Sequence, residues 1–307
     1  MNRSVKIKIP VFSGIIMIAY LILAHRYPEQ FKRMFKAIYH PLNHYLIHVD
    51  KSSSREISES IKIFLNDYPN ADILKPEKAS WGGYSLVNIE LRGIEKLLET
   101  NKDWTHFINL SGQDFPLKTQ KYIRSFLAKN PDNEYILAHN QLQVRPDTMH
   151  RVHDICFEVR NRIFRPNISR KFLRGVTPHI GTQWMIVSRR FCEFVSTAKE
   201  SKRYKTFYKN CFIADEGFFQ TVMMNNDCHG NIIQDDLRLI DWVPDGDIKL
   251  RPRTFTSADT KRLIASHNLF ARKFDSTVDD VVLNEIELHL NGLSHVIKHR
   301  PKKAFAS

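Results

Sequence analysis

Through the first 140 residues, short apolar runs alternate with segments whose apolar positions recur every three or four residues. Ile15–Ala24 is apolar nearly throughout, as expected of a parallel strand buried on both faces. Glu29–Ile38 then places Phe31, Met34, Phe35 and Ile38 on one helical face. Tyr45–Val49 predicts a second strand ending at Asp50. Ser54 is the expected N-cap of a helix through Ile57, Ile61, Phe64 and Leu65. Ala71–Leu74, Thr105–Leu110 and Glu134–Leu137 predict further strands. Ser85–Leu98 and Thr119–Leu127 predict the helices between them.

This alternation predicts an α/β domain, a mostly parallel central sheet with helices on both faces. Residues 140–180 lose the periodicity and are expected to form a loop-rich insertion. Beyond them, Gln183–Val187 predicts a strand, Arg190–Lys199 and Asp215–Met224 helices, and Ile232–Ile233 and Arg238–Trp242 short strands. Glu285–Leu293 predicts a terminal helix before a basic tail. Without a repeat or a Pro/Gly/Ser-rich linker, residues 1–307 are expected to form one domain with its core at about 15–280.

Charge adds a partner question. Forty-six Lys and Arg against 33 Asp and Glu give a net charge of +13. Such an excess suits an anionic partner, whether nucleic acid, a phosphorylated ligand or an anionic membrane, or else a generally basic surface. There is no zinc-finger spacing, helix-turn-helix signature or RNP-like aromatic strand. Cys156, Cys192, Cys211 and Cys228 are far apart, which excludes C-x-x-C zinc sites and a dense disulfide framework. Reduced thiols in a cytosolic protein are expected. Lys6 and Lys8 before an apolar run imitate a signal peptide, but no A-x-A-like cleavage site follows. The run is also shorter than the roughly 20 residues a bilayer span needs.

In such sheets, ligands sit beyond the carboxyl ends of the strands. Asp50 and Ser111–Asp114 fall there. Asp50 can accept hydrogen bonds from a ribose or a uracil N–H, or serve as a loop aspartate or cap. Trp81-Gly82-Gly83 can floor a base or sugar, or simply anchor a helix. Asp114 either orients an acceptor hydroxyl or closes a turn. Asp215-Glu216 sits at a predicted helix start, where one acid is explained as a cap and Glu216 is left as a candidate general base. Arg251, Arg253 and Arg272-Lys273 form a basic set able to meet a departing diphosphate, or one that arises from composition. Asp245-Gly246-Asp247 reads as a surface turn rather than a magnesium or manganese site, so no metal is expected.

Read together, segments 21–25, 33–40, 47–52, 81–86, 107–117, 181–184, 215–221 and 270–275 resemble, in order, the core-2/I-branching enzyme family. That family includes branching β-1,6-N-acetylglucosaminyltransferases and peptide O-xylosyltransferases. The resemblance implies a GT-A-like Rossmann-type fold and inverting, metal-independent transfer from a UDP-sugar. The sugar would be N-acetylglucosamine or xylose, and it would pass to a hydroxyl of a glycan or other acceptor. By position, Ala24, Asp50, Ala79, Ser80, Trp81, Gln183 and Trp184 would line the donor pocket. Arg272 and Lys273, with Arg251, would grip the diphosphate. Glu216 would be the base, and Asp114 and Trp242 would meet the acceptor. Trp-Gly-Gly and Phe-Ala-Arg-Lys-Phe are closer to the xylosyltransferase branch, although Gln183 stands where that branch carries an aspartate. The short form implies a bacterial-type cytosolic enzyme at the inner face of the membrane, touching anionic lipid peripherally and making surface polysaccharide. The competing class is a non-catalytic basic module that binds nucleic acid or anionic lipid.

Overall fold

The computed structural model describes residues 16–298 apart from 102, 161, 247 and 248. A seven-stranded sheet runs in the order Asn231–Ile233, Asn133–Ile136, Met185–Ser188, His106–Ser111, Ile18–Ala24, His44–Val49 and Ala71–Leu74. Ile18–Ala24 lies at its heart, parallel to both His44–Val49 and His106–Ser111. Only Met185–Ser188 among these seven runs against its neighbours.

Strand side chains alternate between faces, and here both faces are covered. Tyr20, Ile22 and Ala24 point into one core with Phe31, Met34, Phe35, Ile61, Leu283 and Ile286. Ala19 and Leu21 point into a second core with Val87, Ile94, Phe191, Tyr204 and Phe218. Two-sided burial explains why the first strand is a continuous apolar run. Tyr20 stacks on Tyr45 at 5.2 Å, and its hydroxyl donates to Gln120 at 3.0 Å, so its polar end is satisfied inside the core.

Local signals place the helices. Pro28 opens Pro28–Ile38 at a position where no backbone donor is needed. The hydroxyls of Ser54 and Thr119 accept from the amides of Ile57 and Tyr122, capping Arg55–Leu65 and Gln120–Lys129. Ser85–Thr100 matches its apolar spacing.

The second half departs from expectation. Arg189–Thr197 is followed by a separate helix, Lys199–Tyr208, which no apolar stripe announces. The helix expected from Asp215 instead starts at Phe218, after a 3-10 turn over Ala214–Glu216. Arg238–Ile240, Phe270–Arg272 and Asp114–Pro116 form a second, three-stranded sheet. Trp242–Asp245 and Lys249–Pro252 make a hairpin, and the terminal helix is longer than predicted, Val281–Lys298. Asp245 closes the hairpin beside Arg251 at 3.7 Å, while Asp247, the other acid of that D-x-D, lies outside the described residues. No described helix is long and apolar enough to cross a membrane.

Candidate active site

Three strand ends build one wall. The Asp50 amide donates to the Ala24 carbonyl at 2.8 Å, and the Gly112 amide to Leu23 at 2.9 Å. The Asp50 carboxylate accepts from the Ala79 amide at 2.8 Å and from the Ser52 amide at 2.7 Å. Burial opposes its ionisation, but bonds from Ser52 and Ala79 prevail and hold it below the usual carboxylate range. Asp50 thus fastens the segment carrying Ala79 and Ser80 to the sheet. The Ser80 amide donates to Ser85 Oγ at 2.9 Å and its carbonyl accepts from Gly83, making the turn that presents Trp81.

Trp81 is 67% exposed and meets Phe212 edge-on at 5.8 Å. Gly82 has φ +76°, and a Cβ there would lie 2.6 Å from Phe212. Only glycine takes that turn without strain and leaves room for the ring. The Gly82 carbonyl accepts from Ile213 at 2.8 Å, tying the Trp81 turn to the chain that leads directly into Glu216.

The second wall is cationic. The three-stranded sheet sets Arg272 opposite Asp114 in register. Asp114 is fully buried and accepts from Ser111 N at 2.8 Å, Arg238 at 2.5 Å and Arg272 at 3.2 Å. The carboxylate expected to meet an acceptor is thus engaged by two guanidiniums and by the amide and hydroxyl of Ser111. Both guanidiniums also lie over the Trp184 ring, Arg238 at 4.5 Å and Arg272 at 4.2 Å. Arg238 is wholly enclosed, whereas Arg272 keeps 15% side-chain exposure, so Arg272 is the one that offers charge outward.

Lys273 is held below its usual pKa by burial and then by the like charges of Arg26, Arg272 and Arg251. Beside it, His25 is lowered by burial and by Arg26, whose Nε donates to His25 Nε2 at 2.7 Å. Arg26, Arg251, Arg272 and Lys273 therefore lie close enough to act on one another, with Asp114, Asp245 and Asp275 among the acids beside them. Arg253 does not join them. It pairs with Asp241 and Asp259, both at 2.7 Å, and so anchors the loop after the hairpin.

Glu216 ends the 3-10 turn, where Arg151 donates to its Oε2 at 2.7 Å. Its carbonyl accepts from the Gly181 amide at 2.9 Å. From there the chain passes through Thr182 and Gln183 to Trp184, so a stretch of four residues connects Glu216 to the arginine-bearing ring. A Cβ on Gly181 would lie 1.7 Å from the Leu137 carbonyl oxygen, so glycine is required there. Gln183 donates to Glu90 Oε1 at 3.0 Å, and Asn109 donates to the same oxygen at 2.8 Å. Glu90 is wholly buried, which pushes its pKa up to about 8 despite those two bonds. Asp215 is raised to about 7, first by burial and then by the charge of Glu216.

A family model described as Core-2/I-Branching enzyme matches residues 18–269. The chain belongs to the core-2/I-branching enzyme family. Xylosyltransferase 2 of Rattus norvegicus is 30% identical over 94% of this chain and 35% of its own length. The xylosyltransferase of Ciona intestinalis is 29% identical over 90% of this chain and 34% of its own. Xylosyltransferase 1 of Rattus norvegicus is 28% identical over 90% and 36%. The chain spans about a third of the length of the curated relatives it matches.

In this core-2/I-branching chain the structure brings Ala24, Asp50, Ala79, Ser80 and Trp81 together on one wall. It gathers Trp184, Arg272 and Lys273 on the other, with Gln183 behind and Glu216 at the far end of the same connecting segment. Arg251 faces this region from the hairpin, on which Trp242 stands 43% exposed. Sequence reasoning missed Arg238, Arg151 and Glu90. Arg238 looked like one more cation in a basic chain, and Arg151 fell in the aperiodic insertion. Glu90 carried a readable signal: it is a charged residue next to Ile89 and Leu91 on a helix flank that is otherwise apolar.

Proposed function

We propose that the chain is an inverting glycosyltransferase that moves a sugar from a UDP-sugar to an acceptor hydroxyl without a divalent metal. The observation that carries this reading is that Asp50, which fastens the segment leading to Trp81, and the cations Arg272 and Lys273 all lie close enough to act on His25. The uridine and sugar sit against Ala24, Asp50, Ala79, Ser80 and Trp81. The diphosphate sits against Arg272 and Lys273, with Arg251 and Arg26 adding positive potential.

The chemistry follows from that arrangement. Glu216 takes the proton from the acceptor hydroxyl as its oxygen bonds to the anomeric carbon, on the face opposite the diphosphate. The bond from that carbon to the phosphate oxygen breaks, and UDP leaves. Charge grows on the departing oxygens and is met by guanidinium and ammonium groups that are already in place. Such fixed charges cost no reorganisation during reaction, which supports a metal-free route.

The likeness to xylosyltransferases makes UDP-xylose the first donor to try, and UDP-N-acetylglucosamine the second because Gln183 replaces an acid. The test is UDP release from each donor with oligosaccharide and serine-containing peptide acceptors, in the presence of EDTA. Release from one donor that is unaffected by EDTA supports the proposal. Release restored only by added manganese overturns its metal-free part, and no release from any UDP-sugar overturns the whole.

A further inference from the structure

The insertion between residues 140 and 180 carries a two-stranded hairpin, Phe157–Val159 paired with Arg162–Phe164, which stands apart from the central sheet. Its inward face is occupied. Glu158 Oε2 accepts from the Ser85 amide at 2.9 Å and fills the space beside Gly83. Its other face is largely apolar and exposed, with Arg162 on it and Phe157 also lining a cavity with Lys51, Tyr84 and Lys209. Phe157, Val159 and Phe164 are 44%, 50% and 51% exposed, and Ile168 just beyond is 52% exposed. Phe157 and Phe164 are register partners, so their rings share one patch. Clustered apolar exposure of this kind marks an interaction surface.

The charge around the patch selects the partner. Arg160, Arg162, Arg165, Lys171 and Arg174 are all exposed. From 154 to 174 the sequence has those five cations and Arg170 against two acids, Glu158, which is turned inward, and Asp154, which pairs with Arg165 at 3.5 Å. A nucleic-acid duplex would engage the cations and leave the phenylalanines in water, and a single strand could stack bases on the rings but has no use for exposed Val159 and Ile168. An anionic bilayer satisfies both: guanidiniums meet lipid phosphates, while phenylalanine and valine enter the boundary between headgroups and acyl chains.

We propose that this hairpin docks the protein onto an anionic phospholipid bilayer. Its placement gives docking a consequence. Arg165 lies over Phe212 at 5.1 Å, and Phe212 meets Trp81 at 5.8 Å, so the hairpin adjoins the Trp81 turn, a rim of the donor site under the proposed function. A docked hairpin would hold that rim close to the bilayer surface.

The test needs no sugar donor, so its outcome is separate from that of the transferase proposal. The full chain is sedimented with vesicles of phosphatidylcholine alone and of phosphatidylcholine with phosphatidylglycerol. Binding is expected only to the anionic vesicles. The pair Phe157→Ser/Phe164→Ser and the pair Arg160→Glu/Arg162→Glu are each expected to weaken it by about tenfold or more. Unchanged melting temperatures would show that these exposed substitutions spare the fold. Absence of binding to anionic vesicles overturns the proposal, as does undiminished binding by the phenylalanine pair. Salt-steep binding to an RNA probe without vesicle binding would make the surface a nucleic-acid site and overturn it too.

Discussion

Arg151 donates to Glu216 at 2.7 Å across a pair that is 18% and 29% exposed. The guanidinium engages Oε2, so under the proposed mechanism Oε1 is the oxygen that would take the substrate proton. An amide in place of the carboxylate keeps the shape and loses the basicity. Glu216→Gln is therefore expected to lower kcat by about 10²- to 10⁴-fold, the usual contribution of a positioned base. UDP affinity, measured by calorimetry, should change little. Turnover within a few-fold of the unsubstituted enzyme would remove Glu216 from the base role.

Asp114 gives the opposite kind of prediction, one of stability. Asp114→Asn would take from the enclosed Arg238 the carboxylate it is hydrogen-bonded to and leave it only the second acid, Asp236; removing one member of a buried pair costs up to about 3–5 kcal/mol. Replacing both partners, Asp114→Asn with Arg238→Met, should recover part of that loss because the fully enclosed charge is gone, and Arg272, which also loses Asp114, keeps 15% exposure. Urea unfolding measures both variants. If the double variant proved less stable than the sum of the two single changes, buried charge would not be the source of the effect.

Arg272→Ala and Lys273→Ala test the cationic wall. A hydrogen bond to a charged group contributes about 1.5–3 kcal/mol, so each change should raise the donor KM by roughly ten- to a hundredfold. Arg253→Ala is the contrast. Its partners are Asp241 and Asp259, so it should lower the melting temperature and leave the donor KM nearly unchanged. Equal KM effects at positions 253 and 272 would refute the division between binding and bracing arginines.

Glu90 and Asp215 make stability depend on pH. Their folded pKa values, about 8 and about 7, lie above the ordinary 4.5 and 3.8. Between those limits the folded chain holds protons that the unfolded chain has released, so stability falls as pH rises from about 4.5 to about 8. Glu90→Gln keeps an oxygen for Asn109 and Gln183 but cannot ionise. The variant should gain on the unsubstituted protein at pH 8.5 and match it closely near pH 4. Melting curves across that range would show parallel profiles if Glu90 were not the cause.

The fold was largely legible because its first half obeys one rule. Strands buried on both sides are continuously apolar, and the intervening helices show a stripe. Helix Lys199–Tyr208 escaped that rule: it buries Tyr204, Phe207 and Tyr208 among lysines and a glutamate, so bulk hides behind polarity. The reversed direction of Met185–Ser188 had no signal at all, since pairing direction depends on partners distant in sequence. In the candidate site, Trp81, Arg272 and Lys273 lay within short motifs and so could be named from the sequence. The pairing of Asp114 with Arg238 was not legible, because that arginine is 124 residues away.

That reversed strand has a consequence for how the pocket is assembled. Parallel strands deliver only their outgoing chain to the ligand edge. Met185–Ser188 delivers its incoming chain there instead, and Met185 is fastened by its amide to the Asn109 side chain at 2.9 Å. The approach to it, 181–184, can thus be shaped by what precedes it in the sequence rather than by the helix that follows. Through that single inverted rung, the edge receives a ring for two arginines and a tether for Glu216 without lengthening any neighbouring loop.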